Sequence, residues 1–93
     1  MKTKILIPTP LRSFTDQQKN VDIDATTVGD ALNTLSIQFP NLKPHLYTEE
    51  GSLRSYVNIY INDNDIRFLK KDQTEVAEGD TILIIPSIAG GIK

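Results

Sequence analysis

Ile82-Leu83-Ile84-Ile85, closed by Pro86, restricts the fold more than any other stretch of the chain. Four consecutive aliphatics with no polar alternation suit a strand inside a sheet covered on both faces. Pro86 has no N–H to give to a ladder, so the strand must stop there. The last seven residues, Ser87-Ile88-Ala89-Gly90-Gly91-Ile92-Lys93, are too few and too small in side chain to form core. The chain therefore divides into a folded unit, residues 1–86, and a tail, residues 87–93. The tail is expected to be flexible and to leave from a fixed point.

The remaining strands are weaker versions of the last. Lys2 to Ile7 reads as a strand with Ile5 and Ile7 on one face and Pro8 at its end. Pro8-Thr9-Pro10 and the polar run Thr15 to Asn20 read as a long, mobile loop. Val21, Ile23 and Ala25 alternate with Asp22 and Asp24, as in a half-exposed strand. Thr27 is a good helix N-cap, with Asp30 three residues on near the free N–H groups. Val28, Ala31, Leu32, Leu35 and Phe39 then recur at helical spacing, and Pro40 ends the helix at Phe39. Residues 41–46 suit a short helical turn. Val57, Ile59 and Ile61 alternate with Asn58 and Tyr60 in a third strand, which turns at Asn62-Asp63-Asn64-Asp65. Ile66-Arg67-Phe68-Leu69 reads as a short edge strand and Lys70 to Val76 as a polar turn.

Two hairpins joined by a helical crossover place the first and last strands side by side in the sheet centre, and the crossover should be right-handed. This is an α+β, β-grasp (ubiquitin-like) arrangement: a mixed four- to five-stranded sheet with one main helix packed across it. At 93 residues, one core is all the chain can build.

Few kinds of chemistry survive the composition. There is no cysteine, so disulfides, thiolate metal sites and cysteine nucleophiles are excluded. A net charge of −2 gives no electrostatic footprint for nucleic acid. No stretch is long and apolar enough to span a bilayer or act as a signal sequence, and a cytoplasmic protein is expected. His45 stands alone between Pro44 and Leu46, without an acid or nucleophile at a useful spacing. The acids at Asp63 and Asp65 resemble a calcium loop but lack its glycine and glutamate. No glycine-rich loop precedes a helix, so no cofactor site is expected. Tyr60, by alternation, faces away from the helix, where an aromatic can anchor a partner.

The block Tyr56 to Asp63, then Asp65 to Leu69, then Glu78-Gly79-Asp80 running into Ile84-Ile85-Pro86-Ser87-Ile88-Ala89-Gly90-Gly91, resembles the ubiquitin-like sulfur-carrier family of MoaD and ThiS proteins. Within it the pattern looks most like the CysO-type carriers of cysteine biosynthesis. The resemblance implies that the chain is not an enzyme but a protein co-substrate. An E1-like adenylyltransferase of the MoeB/ThiF type would use ATP to adenylate a C-terminal glycine, and sulfur would then displace AMP to leave a thiocarboxylate. By position Gly91 would carry the reacting carbonyl, with Ile88, Ala89 and Gly90 read by the partner. The sheet face bearing Tyr60, together with Phe68, would dock that enzyme. A PLP-dependent cysteine synthase would accept the sulfur, although thiazole and molybdopterin pathways also fit. The family's reactive form ends at its second glycine, whereas here Ile92 and Lys93 come after it. The bond between Gly91 and Ile92 would therefore have to be cut, and a metallopeptidase does this for some relatives. The alternative implied by the same family is a modifier joined through Gly91 to lysines.

Overall fold

A computed structural model describes residues 2–86. Ser87 to Lys93 lie outside the described residues, and so do the expectations attached to Ile88, Ala89, Gly90, Gly91 and Ile92. The strands are β1 (Lys2–Leu6), β2 (Asn20–Asp24), β3 (Val57–Ile61), β4 (Asn64–Asp65) and β5 (Thr81–Pro86), with helices α1 (Val28–Gln38) and α2 (Lys43–Leu46) between β2 and β3. The sheet order is β2-β1-β5-β3-β4. β5 runs parallel to β1, with Ile5 beside Ile82, and antiparallel to β3, with Ile59 beside Ile84. The strand ending in Pro86 is thus the middle of five, as the unbroken aliphatic run required.

α1 forms where its stripe and cap place it. The Thr27 side chain accepts from the Asp30 N–H at 3.0 Å, and the Asp30 carboxylate reaches back to the Thr26 N–H at 3.4 Å. Asp thus fills the reciprocal role that Glu takes in the usual capping box. Val28, Ala31, Leu32 and Leu35 are fully buried against the sheet. They meet Ile5, Ile59, Ile82 and Ile84, which all point to the same side. The core continues beneath two short elements. A 3-10 helix over Thr9–Phe14 buries Leu11, and the turn over residues 40–46 buries Leu42 and Leu46.

Three expectations need correction. Thr9 and Pro10 are not loop but open a 3-10 helix over Thr9–Phe14, with Pro10 in its first turn where a missing N–H costs nothing. Ile66-Arg67-Phe68-Leu69 is not a strand. β4 ends at Asp65, whose side chain accepts the Arg67 N–H at 2.9 Å and starts a 3-10 helix over Ile66–Phe68. Asp competes here with the ladder for a backbone donor and wins. Lastly, the helices cover only one face of β5. Ile82 and Ile84 are buried, whereas Leu83 is half-buried and Ile85 is 39% exposed on the other side.

The turn between β3 and β4 places Asn62 (φ 49°) and Asp63 (φ 74°) in the left-handed region, as a primed hairpin turn demands. Asn62 then ties this turn to the base of β5: its Oδ1 accepts the Thr81 N–H and its Nδ2 donates to Asp80 Oδ1. The segment before β5 is clasped to the start of α1 by Val28 N–H to Thr74 O at 2.9 Å and Val76 N–H to Thr26 O at 3.0 Å. Gly29 allows this approach. A Cβ there would sit 3.1 Å from both Asp72 Cβ and the Asp72 carbonyl oxygen. Alanine is the better helix former by about 1 kcal/mol, yet Gly29→Ala is expected to destabilise the fold, by about 1–3 kcal/mol of overpacking. Urea unfolding would check the sign; a stabilised variant would mean that the clasp yields easily.

Candidate functional site

The face that α1 leaves uncovered carries an apolar row. Leu6 on β1 stands beside Leu83 on β5, which pairs with Tyr60 on β3. Ile85 lies further along β5 toward Pro86, the last described residue, and stands opposite Asn58. Leu6, Leu83 and Tyr60 are half-buried, with no second layer over them among the described residues. An apolar row that crosses three strands and stays open suits contact with another protein. Tyr60 faces away from the helix, as alternation required. Leu6, Leu83 and Ile85 were missed from sequence, although the lack of alternation through Ile5 to Ile7 and through Ile82 to Ile85 was their signal.

At the edge of this face the chain leaves β4. Tyr60 pairs with Asp65, and Asp65 is 8% exposed. Its carboxylate accepts Arg67 Nε at 3.2 Å and Arg67 Nη2 at 2.7 Å, in addition to the Arg67 backbone N–H. These hydrogen bonds, side chain first, hold the Asp65 carboxyl below the usual carboxylate range. A lowered folded value stabilises the native state above the ordinary carboxyl pKa of 3.8, and the contribution fades as pH falls through the folded value. Acid unfolding followed by circular dichroism should show this limb in the unmodified chain and a shallower one in Asp65→Asn. Phe68, on the same turn as Arg67, is 85% exposed. It sits on the 3-10 turn beside the sheet rather than on a strand, so Tyr60 and Phe68 occupy different elements.

A cavity of about 660 Å³ lies between the start of α1, the 47–57 segment and the 66–73 segment, with Leu32, Leu53, Val57 and Ile66 in its walls. Tyr47 borders it, and burial followed by the nearby Asp72 charge pushes its phenol upward. No histidine or cysteine lines it; its polar lining includes the hydroxyls of Ser52 and Ser55 and the charged side chains of Asp30, Arg67, Lys71 and Asp72. His45 is stacked on Phe14, ring centres 4.2 Å apart. Among the described residues no group of three or more His, Cys, Asp or Glu is placed to hold a metal ion, and no helix is long and apolar enough to cross a membrane.

The arrangement is a five-stranded sheet whose central strand, β5, ends at Pro86 beside an open apolar face. Comparison with known proteins agrees with it. The model of the ThiS family matches residues 5–91. The sulfur carrier protein CysO of Mycobacterium tuberculosis (strain ATCC 25618 / H37Rv) is 37% identical over 93 residues, covering 98% of this chain and 100% of that one. The structure of the BexX/CysO complex from Amycolatopsis orientalis matches with a TM-score of 0.85 at 36% identity, over 96% of this chain and 99% of that one. Small archaeal modifier protein 3 of Haloferax volcanii is 35% identical over 71 residues, covering 76% of this chain and 75% of that protein. The relatives that match this chain end to end are named sulfur carrier proteins, small carriers rather than enzymes, and the chain belongs to the ThiS family of ubiquitin-like sulfur carriers.

Proposed function

We propose that this carrier bears its sulfur on Gly91 and delivers it in cysteine biosynthesis. The observation that carries the reading is the family match, which runs through Gly91 and stops short of Ile92. A carboxylate is a poor electrophile because its charge is delocalised over both oxygens. An E1-like adenylyltransferase of the MoeB/ThiF type joins it to AMP from ATP and releases pyrophosphate. A sulfur nucleophile then attacks the carbonyl carbon, AMP leaves, and a thiocarboxylate remains. Gly90 and Gly91 have no Cβ, so an extended backbone can enter a narrow channel with its carbonyl unhindered. Ile88 and Ala89 supply the last side chains for the partner to read, in the manner of an extended peptide in a groove.

Within the peptide chain Gly91 has no free carboxylate, so a peptidase, a metallopeptidase in this reading, first cuts between Gly91 and Ile92. Tyr60, Leu83 and Ile85, with Phe68 on the turn after β4, form the dock for the activating enzyme. The acceptor, by resemblance to the CysO type, is an activated serine on a PLP-dependent cysteine synthase. ATP and pyridoxal phosphate belong to the partners, the carrier holds no cofactor, and the exchange takes place in the cytoplasm.

The likeness to a small archaeal modifier protein supports a second reading, conjugation of Gly91 to lysines. Mass spectrometry of the tail from the host cell separates the two. The carrier shows sulfur in place of one terminal oxygen; the modifier shows isopeptide-linked adducts. A chain recovered only with Gly91 still bound to Ile92 would count against both.

A further inference from the structure

The Asp65–Arg67 pair is built more elaborately than an ordinary surface ion pair. Exposed pairs contribute little because two long side chains must be ordered in water. Here one partner is already ordered: the Asp65 side chain is 7% exposed, whereas that of Arg67 is 61% exposed. The same carboxylate fixes Arg67 twice, through its backbone N–H at 2.9 Å and through Nε and Nη2. Both the backbone turn and the guanidinium plane are therefore set by one group. Arginine has five N–H donors, and Asp65 uses only those on Nε and one on Nη2. The rest of the fork points away from Asp65 on a largely exposed side chain.

Asp65, which holds this fork, pairs with Tyr60 on the open sheet face, and Arg67 itself also borders the cavity beside α1. Phe68, next in the chain, is 85% exposed. Lys70 and Lys71 come soon after, also exposed, so residues 65–72 carry three cations against the two acids Asp65 and Asp72. This segment is locally positive on a chain whose net charge is −2. A preset arginine beside two aromatics is the composition of an interface hot spot rather than of a solvated loop.

We infer that Arg67 is a specificity-determining contact for the activating enzyme, that it pairs with a carboxylate on that enzyme, and that Asp65 is the positioning residue that presets it. The inference rests on the sulfur-carrier reading and adds the recognition chemistry. Phe68 supplies apolar contact, and the free edge of the guanidinium supplies direction. Because Asp65 has already removed most of the rotamer freedom of Arg67, little ordering remains to oppose binding. Lysine cannot substitute, since a point charge does not reproduce a planar fork held from one side.

The test uses the chain ending at Gly91, the matching adenylyltransferase and ATP, with pyrophosphate release as the readout. Arg67→Ala should raise the KM for the carrier about tenfold, the loss expected for one charge-assisted hydrogen bond, and leave kcat unchanged. Arg67→Lys should remain impaired. Asp65→Asn should raise KM in the same direction, and the double variant should be no worse than Arg67→Ala alone, because Asp65 acts through Arg67. Asp65→Glu, which keeps the carboxylate, should recover part of the loss. Thermal unfolding of each variant separates weak binding from a damaged fold. An unchanged KM in Arg67→Ala, with the unmodified chain turning over, overturns this inference and leaves the carrier reading intact. No pyrophosphate from the chain ending at Gly91 without any substitution overturns both.

Discussion

A chain cut back to Gly91 should release pyrophosphate when mixed with ATP and a matching activating enzyme, and the 93-residue chain should release none. The difference is a matter of bonding. In the amide to Ile92 the second carboxylate oxygen is replaced by nitrogen, and no anionic oxygen is left to attack the α-phosphorus of ATP. The glycine carboxylate has one, and no change in docking affinity can stand in for it. Restoring only Ile92 to the cut chain should abolish the signal as fully as restoring both residues. The measurement is a coupled pyrophosphate assay, with intact mass of the carrier before and after. Turnover by the uncut chain, its mass retained throughout, would refute the need for trimming.

The second large effect sets neighbouring residues against each other. Ile84→Ala should cost about 2–5 kcal/mol, because it leaves a cavity between the sheet and α1. Ile84 is 0% exposed and Ile85 is 39% exposed. A domain of this size has a total stability of about 5–14 kcal/mol, so Ile84→Ala should move the urea midpoint far and leave some chains unfolded at 37 °C. Ile85→Ala should change the midpoint little and instead weaken adenylation of the Gly91-ended chain. Urea unfolding and carrier KM, measured on both variants, should give opposite patterns. Equal losses of stability would mean that the outer face is as much core as the inner one.

Tyr60 and Ile84 show which parts of the fold can be read from the sequence. Period-two alternation fixes the face of Tyr60, and the stripe from Val28 to Leu35 fixes the buried side of α1, because solvent and core impose those periods directly. Thr27 marks the helix start for the same local reason. Ile85 is harder. A run without alternation has two physical causes, burial on both faces or burial on one face with an apolar surface on the other, and sequence spacing cannot tell them apart. Phe68 reads as strand because Ile66, Phe68 and Leu69 have strand propensity. The deciding interaction is a single side-chain hydrogen bond to Asp65, which outweighs propensity over three residues. Arg67 is not singled out by spacing for the same reason, since the role inferred for it depends on that bond. The spacing from Gly79 to Gly91 is legible only through family resemblance, as nothing in local periodicity marks a terminal glycine as reactive.

The pairing of β5 with β1 also bears on synthesis. Lys4 lies opposite Thr81, so the middle of the sheet stays empty until β5 has left the ribosome. Closing so long a loop is slow compared with local contacts, and an unfinished product lacks the strand that both halves of the sheet require. A truncated translation product should therefore be removed by proteases as an unfolded chain before it could compete for the activating enzyme.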